Sequence, residues 1–209
     1  MNPEEHNINK HLKSKFIEYY DDIVPVYMQD YLENLVKSKM EPFLGLEFFY
    51  SENLSLEGKD AGEYGFGCNI QDSNPIYYHP QHHLITTPLY LFCNALNLAI
   101  FKIHQIRSWI QTPQEKSNTF LPHKDHPNPH YVLLYYVNDS DGDTVFFEDD
   151  EVTEIKRISP KKGRIAFFDG SIYHAASNPT LNPRLVFNYN FIAFDTESLK
   201  NIFPLYKTS

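Results

Sequence analysis

Cationic side chains are scarce in this chain. Eighteen Lys and Arg stand against 27 Asp and Glu in 209 residues, for a formal net charge of −9 and a pI of about 5.5. Phosphate binding needs clustered cations, so nucleic acid and anionic membrane surfaces are not expected as main partners. Cysteine is nearly absent: Cys68 and Cys93 are the only two. Two cysteines cannot staple a scaffold; they are expected as small buried apolar residues in a reducing compartment. No apolar run approaches the ~18 residues of a membrane span. The opening Met1-Asn-Pro-Glu-Glu5 lacks the apolar stretch of a secretory signal. A cytoplasmic protein off the membrane is the expectation. The Asn53-Leu-Ser55 and Asn138-Asp-Ser140 patterns are then expected to carry no glycan. No internal repeat or low-complexity tract is present.

Aromatic residues, by contrast, are plentiful. Sixteen Phe and 15 Tyr favour a β-rich core. The length suits a single domain that buries roughly 70% of its unfolded surface. Residues 5–41 show helical spacing. Leu12, Phe16, Ile17 and Tyr20 form one stripe; beyond Pro25, the residues Val26, Met28, Tyr31, Leu32, Leu35 and Val36 form another. Residues 42–86 read as loops punctuated by Gly62, Gly65, Gly67, Pro75 and Pro80, with short strands at Phe48–Tyr50 and Tyr77–Tyr78. Thr87–Phe101 reads as a buried helix, with Pro88 in its first turn. From Lys102 onward about eight short strands alternate with turn signals. The expected fold is α+β, mainly β: a double-stranded β-helix, or jelly roll, over 102–195. Residues 1–101 would be a helical and loop support region, its helices packed on one sheet. The strand count alone also permits other sandwiches.

The residues able to carry chemistry gather in the second half. His123 and Asp125 lie two apart in Phe120-Leu-Pro-His-Lys-Asp-His126, so an extended chain sends both side chains from one face. His174 follows the apolar run Ile165–Phe168, and Arg184 opens Arg184-Leu-Val-Phe-Asn-Tyr-Asn-Phe191. Two His and one carboxylate on one face of an ion, with the opposite face open, form the facial triad of non-haem Fe(II) oxygenases. A rival cluster, His79-Pro-Gln-His-His83, lacks a Cys or a spaced fourth ligand and is read as loop histidines. His126 and His130 are read as loop residues too. Asp139-Ser-Asp-Gly-Asp143 has carboxylates at alternate positions, but Gly142 and Asp150 fall out of register for a calcium loop. A turn at Asp141-Gly142 is the better reading. On the strand from Lys102, Ile103, Gln105, Arg107 and Trp109 share a face, and an inward Arg107 with Trp109 would touch substrate or co-substrate.

Taken in order, these pieces resemble the 2-oxoglutarate- and Fe(II)-dependent oxygenases, in particular their prolyl 4-hydroxylase-like branch of phage and bacterial type. The resemblance covers roughly 102–194. His123, Asp125 and His174 match the metal motif. Arg184 matches the residue that pairs with the far carboxylate of 2-oxoglutarate. Leu134-Tyr-Tyr-Val-Asn138 is similar to the strand whose second tyrosine, here Tyr136, reaches that carboxylate. Asp141-Gly-Asp-Thr-Val-Phe146 is similar to a Gly-Gly-x-Thr-x-Phe hairpin, with Asp143 in place of the second Gly. The resemblance implies a jelly roll holding Fe(II) at His123, Asp125 and His174, with 2-oxoglutarate and O2 as co-substrates and ascorbate as accessory reductant. It implies decarboxylation to succinate and CO2 coupled to hydroxylation of a peptidyl or amino-acid-like substrate. A planar guanidinium suits the carboxylate because it binds both oxygens and stays charged when buried. Two other readings are a cupin-like jelly-roll binding module without redox chemistry, and a metal-dependent dioxygenase that does not use 2-oxoglutarate. The intact triad and clamp count against both.

Overall fold

The computed structural model describes residues 15–37, 45–52, 64–73 and 75–196. Its elements are β1 (Ile17–Tyr20), α1 (Val26–Val36), β2 (Phe49–Ser51), β3 (Gly65–Ser73), β4 (Ile76–Tyr78), α2 (His82–Ile85) and α3 (Thr87–Ala95). They continue as β5 (Leu98–Gln111), β6 (Tyr131–Tyr136), β7 (Thr144–Phe147), β8 (Glu154–Ile158), β9 (Ile165–Asp169), β10 (Tyr173–Ala176) and β11 (Arg184–Asp195). An eight-stranded sheet runs β1-β9-β6-β11-β5-β3-β2, with β4 paired to β3. A second sheet runs β10-β7-β8. The bridges Thr119–Ser177 and His123–His174 lay residues 119–123 along the free side of β10. The jelly roll expected for the second half is what forms.

Period-two alternation divides the large sheet between two cores. Leu133 and Tyr135 of β6, Phe167 of β9, and Leu185, Phe187, Tyr189 and Phe191 of β11 join Leu32, Leu35 and Val36 of α1 and Leu89, Phe92 and Cys93 of α3. The intervening residues Val132, Leu134, Tyr136, Ala166, Phe168 and Val186 face the small sheet, where Phe146 and Ile158 meet them. The helices thus close one face, and the site lies on the other. Both cysteines are buried and free, as expected, and burial pushes their thiols up to about 11 for Cys68 and about 12 for Cys93.

Three local expectations are corrected. Ile17–Tyr20 is not helical; it pairs antiparallel with β9, Ile17 opposite Phe168. Its apolar residues fit helical spacing by coincidence. A short run cannot tell the two states apart, and here the open edge of β9 decides. The helix beyond Pro25 forms as expected, its first turn bonding Met28 and Gln29 N–H to the Pro25 carbonyl. Gly65 and Gly67 lie in the nine-residue strand β3 rather than in a loop. A Cβ on Gly67 would run into the Trp109 ring on the neighbouring strand, so this glycine permits a close approach instead of a turn. Third, the helix expected to reach Phe101 stops at Ala95. Asn97 takes a positive φ of 54°, and Leu98–Phe101 begins β5. The 101/102 boundary therefore falls inside a strand, and the first half supplies β1 to β4 to the large sheet. The parts of the helical expectation before Lys15 and after Lys37, the Asn53 pattern and Gly62 lie outside the described residues.

The Asp139–Asp143 segment is no ion loop. Asp139 Oδ1 accepts the Lys162 N–H at 2.8 Å, while Asp141 faces the loop before β11 and accepts from the N–H groups of Thr180, Leu181 and Asn182. A Cβ on Gly142 would press on the Ser177 carbonyl at 2.8 Å, so this turn needs glycine for space. Burial works against ionisation of Asp141, but the Thr180 hydroxyl and the three N–H groups hold its carboxyl well below the usual range. A depressed folded value means stability that is present above the unfolded pKa of about 4 and lost as pH falls through the folded one. Asp141→Asn should lower the melting temperature at pH 7, with the gap from wild type narrowing below about pH 4; an equal gap at pH 7 and pH 3 would refute this. Phe167 sits between Phe16 and Phe92, both with ring centroids at 4.9 Å. Phe167→Ala should cost about 3–5 kcal/mol in urea unfolding, and a loss under about 1 kcal/mol would show that this face is not the main core.

Candidate metal centre and carboxylate pocket

The centre starts from a backbone contact. His123 N–H donates to the His174 carbonyl at 3.0 Å, and His174 N–H returns the bond to the His123 carbonyl at 3.1 Å. Residues bonded reciprocally across an antiparallel pair send their side chains from the same face. The two imidazoles therefore stand together, ring centroids 5.0 Å apart. Asp125, two residues on, completes the set, with Oδ1 3.7 Å from His123 Nε2 and Oδ2 3.6 Å from His174 Nε2. Ligand atoms of all three lie within 4.8 Å of one another, and no other such group occurs among the described residues.

The outer contacts fix what these atoms can do. His123 Nδ1 lies 3.1 Å from the Leu121 carbonyl, and His174 Nδ1 lies 3.1 Å from the Ile172 carbonyl. A carbonyl only accepts, so each Nδ1 carries the proton and each Nε2 turns a lone pair to the carboxylate. Lone pairs meeting carboxylate oxygens at this range call for a cation between them. The donor set fits Fe(II), which takes two imidazoles and a carboxylate on one face. Burial opposes ionisation of Asp125; when the two imidazoles are protonated, the hydrogen bond and charge of His174 and the charge of His123 hold its carboxyl far below the usual range, and the Asn188 amide acts in the same sense. Asn188 Nδ2 donates to Asp125 Oδ2 at 3.0 Å from β11.

Arg184 lies deeper, buried in the same cleft. Its Nη1 donates to Gln111 Oε1 at 3.0 Å and its Nη2 to Thr144 Oγ1 at 2.9 Å, while Nε has no partner among the described residues. The Tyr136 hydroxyl lies 2.7 Å from Thr144 Oγ1, and the Tyr136 ring centroid lies 5.6 Å from the guanidinium carbon. Burial depresses the Arg184 pKa, with Tyr136 acting in the opposite sense. Among the described residues no carboxylate pairs with this guanidinium, so the pocket suits an anionic ligand. The cleft, open to solvent, is lined by Gln105, Arg107, Trp109, Gln111, Thr144 and Asn188 besides the triad and Arg184.

The structure thus brings His123, Asp125, His174, Arg184, Arg107 and Trp109 to one cleft. Tyr136 reaches Arg184 through Thr144 and does not itself line the cavity. The rival histidines point elsewhere: His82 Nε2 lies 2.7 Å from Gln71 Oε1, and His79 Nδ1 accepts the Gln81 N–H. His126 stacks on His104 at 4.2 Å, with His130 5.7 Å from His126. His104 sits at a bulge in β5, without a register partner in β11. That bulge breaks the expected alternation, and Ile103 packs with the helix-side core instead of beside Gln105. Sequence reasoning assigned no role to Gln111, Thr144 or Asn188. Asn188 shares the Arg184 face of β11 by alternation, and that was the available signal.

Comparison with known proteins agrees with this geometry. Residues 108–192 match the family model of the 2OG-Fe(II) oxygenase superfamily. Its bounds enclose the triad and Arg184. The sequence comparison with curated proteins found no match. Among solved structures, the fold is similar to a Pseudomonas putida prolyl-4-hydroxylase, with a TM-score of 0.61 at 14% identity over 88% of this chain and 96% of that one. It is similar to a prolyl hydroxylase from Trichoplax adhaerens solved with a hypoxia inducible factor peptide fragment, with a TM-score of 0.61 at 14% identity over 91% and 88%. The α-ketoglutarate-dependent epimerase SnoN of nogalamycin biosynthesis shares it as well, at 0.59 and 16% over 88% and 80%. Among the described residues no helix is long and apolar enough to cross a membrane.

Wild type should bind one equivalent of Co(II) or Fe(II). His174→Ala should weaken that by at least about 100-fold, and Asn188→Ala by roughly 10–100-fold through loss of the carboxylate's anchor. Titration by calorimetry measures both, and unchanged affinity in His174→Ala would remove the centre from consideration.

Proposed function

We propose that the protein is an Fe(II)- and 2-oxoglutarate-dependent dioxygenase that hydroxylates prolyl or other amino-acid side chains. The observation that carries this is the pairing, in one cleft, of a cation-seeking triad with a buried guanidinium that has no counter-anion among the described residues. When bound, Fe(II) with 2-oxoglutarate and O2 supplies the oxidant: the keto acid leaves as succinate and CO2, one oxygen atom entering succinate and the other the substrate.

The chain's own residues place and shield these groups. His123, Asp125 and His174 hold the metal on one face, and Leu121, Ile172 and Asn188 orient them. Arg184 takes the far carboxylate of 2-oxoglutarate, with Gln111 and Thr144 holding its Nη groups in position and Tyr136 backing it through Thr144. Burial keeps the Tyr136 phenol neutral by pushing its pKa up, so its hydroxyl remains a donor. Leu134, Val186 and Phe120 give the cleft an apolar wall that limits water. The prolyl hydroxylases among the fold neighbours support a prolyl substrate, and the epimerase among them supports a wider range. The substrate is expected to be peptidyl or amino-acid-like, with ascorbate sustaining turnover as reductant.

Iron-loaded protein should release succinate from 2-oxoglutarate in air with ascorbate, even before a substrate is known. Arg184→Gln should raise the 2-oxoglutarate concentration for half-maximal succinate release at least about tenfold, and His174→Ala should abolish release. No succinate from metal-loaded wild type would favour a binding module.

A further inference from the structure

Four alternate residues of β5 face the cleft: Gln105, Arg107, Trp109 and Gln111. Gln111 stands opposite Arg184 in the sheet register, and Arg107 stands opposite Asn188, the residue that holds Asp125. Four residues of extended strand separate Arg107 from Gln111, about 13 Å. Two guanidinium groups thus enter one cleft from neighbouring strands, Arg184 of β11 beside the carboxylate pocket and Arg107 of β5 beside the metal triad. Gln111 and Thr144 hold Arg184. Arg107 is held differently: its carbon lies 5.7 Å from the centroid of the Trp109 ring. That ring lies over Gly67, where a side chain would displace it.

Among the described residues no hydrogen bond or ion pair engages the Arg107 guanidinium, although it is half-buried. Asp125 attracts it but is directed to the metal position, and Asp72 attracts it while accepting the Gln105 amide at 3.3 Å outside the cavity lining. The charges lining the cleft are Arg107, Arg184 and Asp125. With a divalent metal and dianionic 2-oxoglutarate added, one positive charge is left without a partner, and it is that of Arg107.

We propose that Arg107 is a specificity-determining residue that binds a carboxylate on the primary substrate, with Trp109 packing against the substrate's carbon skeleton. The inference rests on the oxygenase reading and narrows it. The substrate is a free acid, such as an amino acid or a small molecule bearing a carboxylate, in preference to an uncharged internal peptide residue. A carboxylate held at Arg107 lies at the Asn188 end of the cleft, four residues along the sheet from the co-substrate clamp, which leaves the adjoining carbons on the metal side. A neutral peptide there would leave a half-buried guanidinium facing carbonyl oxygens alone, a weaker match than two charge-assisted hydrogen bonds.

Trp109 is the chain's single tryptophan, so its emission reports this subsite without interference. The experiment titrates the protein, loaded with Fe(II) and saturating 2-oxoglutarate under anaerobic conditions, with the proteinogenic L-amino acids and their N-acetyl forms. Each is compared with its carboxamide, and an end-capped proline peptide stands for the internal residue. Acids should shift the emission saturably, and the best should bind at least about tenfold tighter than its amide. Arg107→Gln should erase that preference, and Arg107→Lys should retain part of it. Amides or the capped peptide binding as tightly as the acids, no acid shifting the emission, or a preference that survives in Arg107→Gln would each overturn the proposal. Because the readout is binding, these outcomes are separate from failure of the oxygenase reading, which shows as absence of succinate release from wild type.

Discussion

The reciprocal backbone bond between His123 and His174 is the contact on which this molecule's chemistry depends. Neither residue is near the other along the chain. One pair of N–H to carbonyl bonds at 3.0 and 3.1 Å sets them side by side on one face. With that pair fixed, Asp125 follows because it lies two residues further along the same extended segment. The outer bonds to Leu121 and Ile172 are then local, each two residues from its histidine, and set the tautomers without help from distant structure. Around this bond the small sheet has to form beside β10, and the large sheet has to supply Asn188 opposite.

Charge is organised around the same point. The cleft holds a carboxylate kept ionised against its own burial and two guanidinium groups from the neighbouring strands β5 and β11. Burying a cation without an anion is costly, and folded proteins accept that where a ligand completes the pair. Arg184 is the clearer case, because its Nη groups are held by neutral acceptors and its Nε by none of the described residues. The helices on the far side contribute no ligand. Their part is to bury the opposite face of the large sheet, with Phe92 of α3 against Phe167 of β9, so that β6, β9 and β11 stay flat against the small sheet.

Apart from the bulge at His104, which turns Ile103 to the helix-side core, the errors of sequence reading concern short apolar or glycine-bearing segments. Ile17–Tyr20 fits a helical stripe and still becomes an edge strand, because β9 offered an unpaired edge. Leu98–Phe101 continues a helical run but is turned by Asn97 into β5. Gly67 looks like loop punctuation and instead makes room for Trp109. For Ile17–Tyr20 and Gly67 the deciding partner is far away in sequence, so no local pattern could reveal it, whereas Asn97 adjoins the segment that it turns. The strands after Lys102 were legible because their alternation, as in Leu185, Phe187, Tyr189 and Phe191, is long enough to exclude a helix.

What the residues alone determined is the donor chemistry: two imidazoles, an aspartate and a guanidinium, in an order that resembles the 2-oxoglutarate oxygenases, on strands whose two-residue period sets which side chains share a face. Tertiary structure decided which neighbours complete those donors. Asn188 meets Asp125, Gln111 and Thr144 meet Arg184, Tyr136 is set behind Thr144, and Arg107 faces the metal side of the cleft. The reason is physical. A residue's chemical capacity is carried by its own side chain and its immediate spacing, whereas its partners are chosen by cross-strand register, which only the assembled sheet supplies.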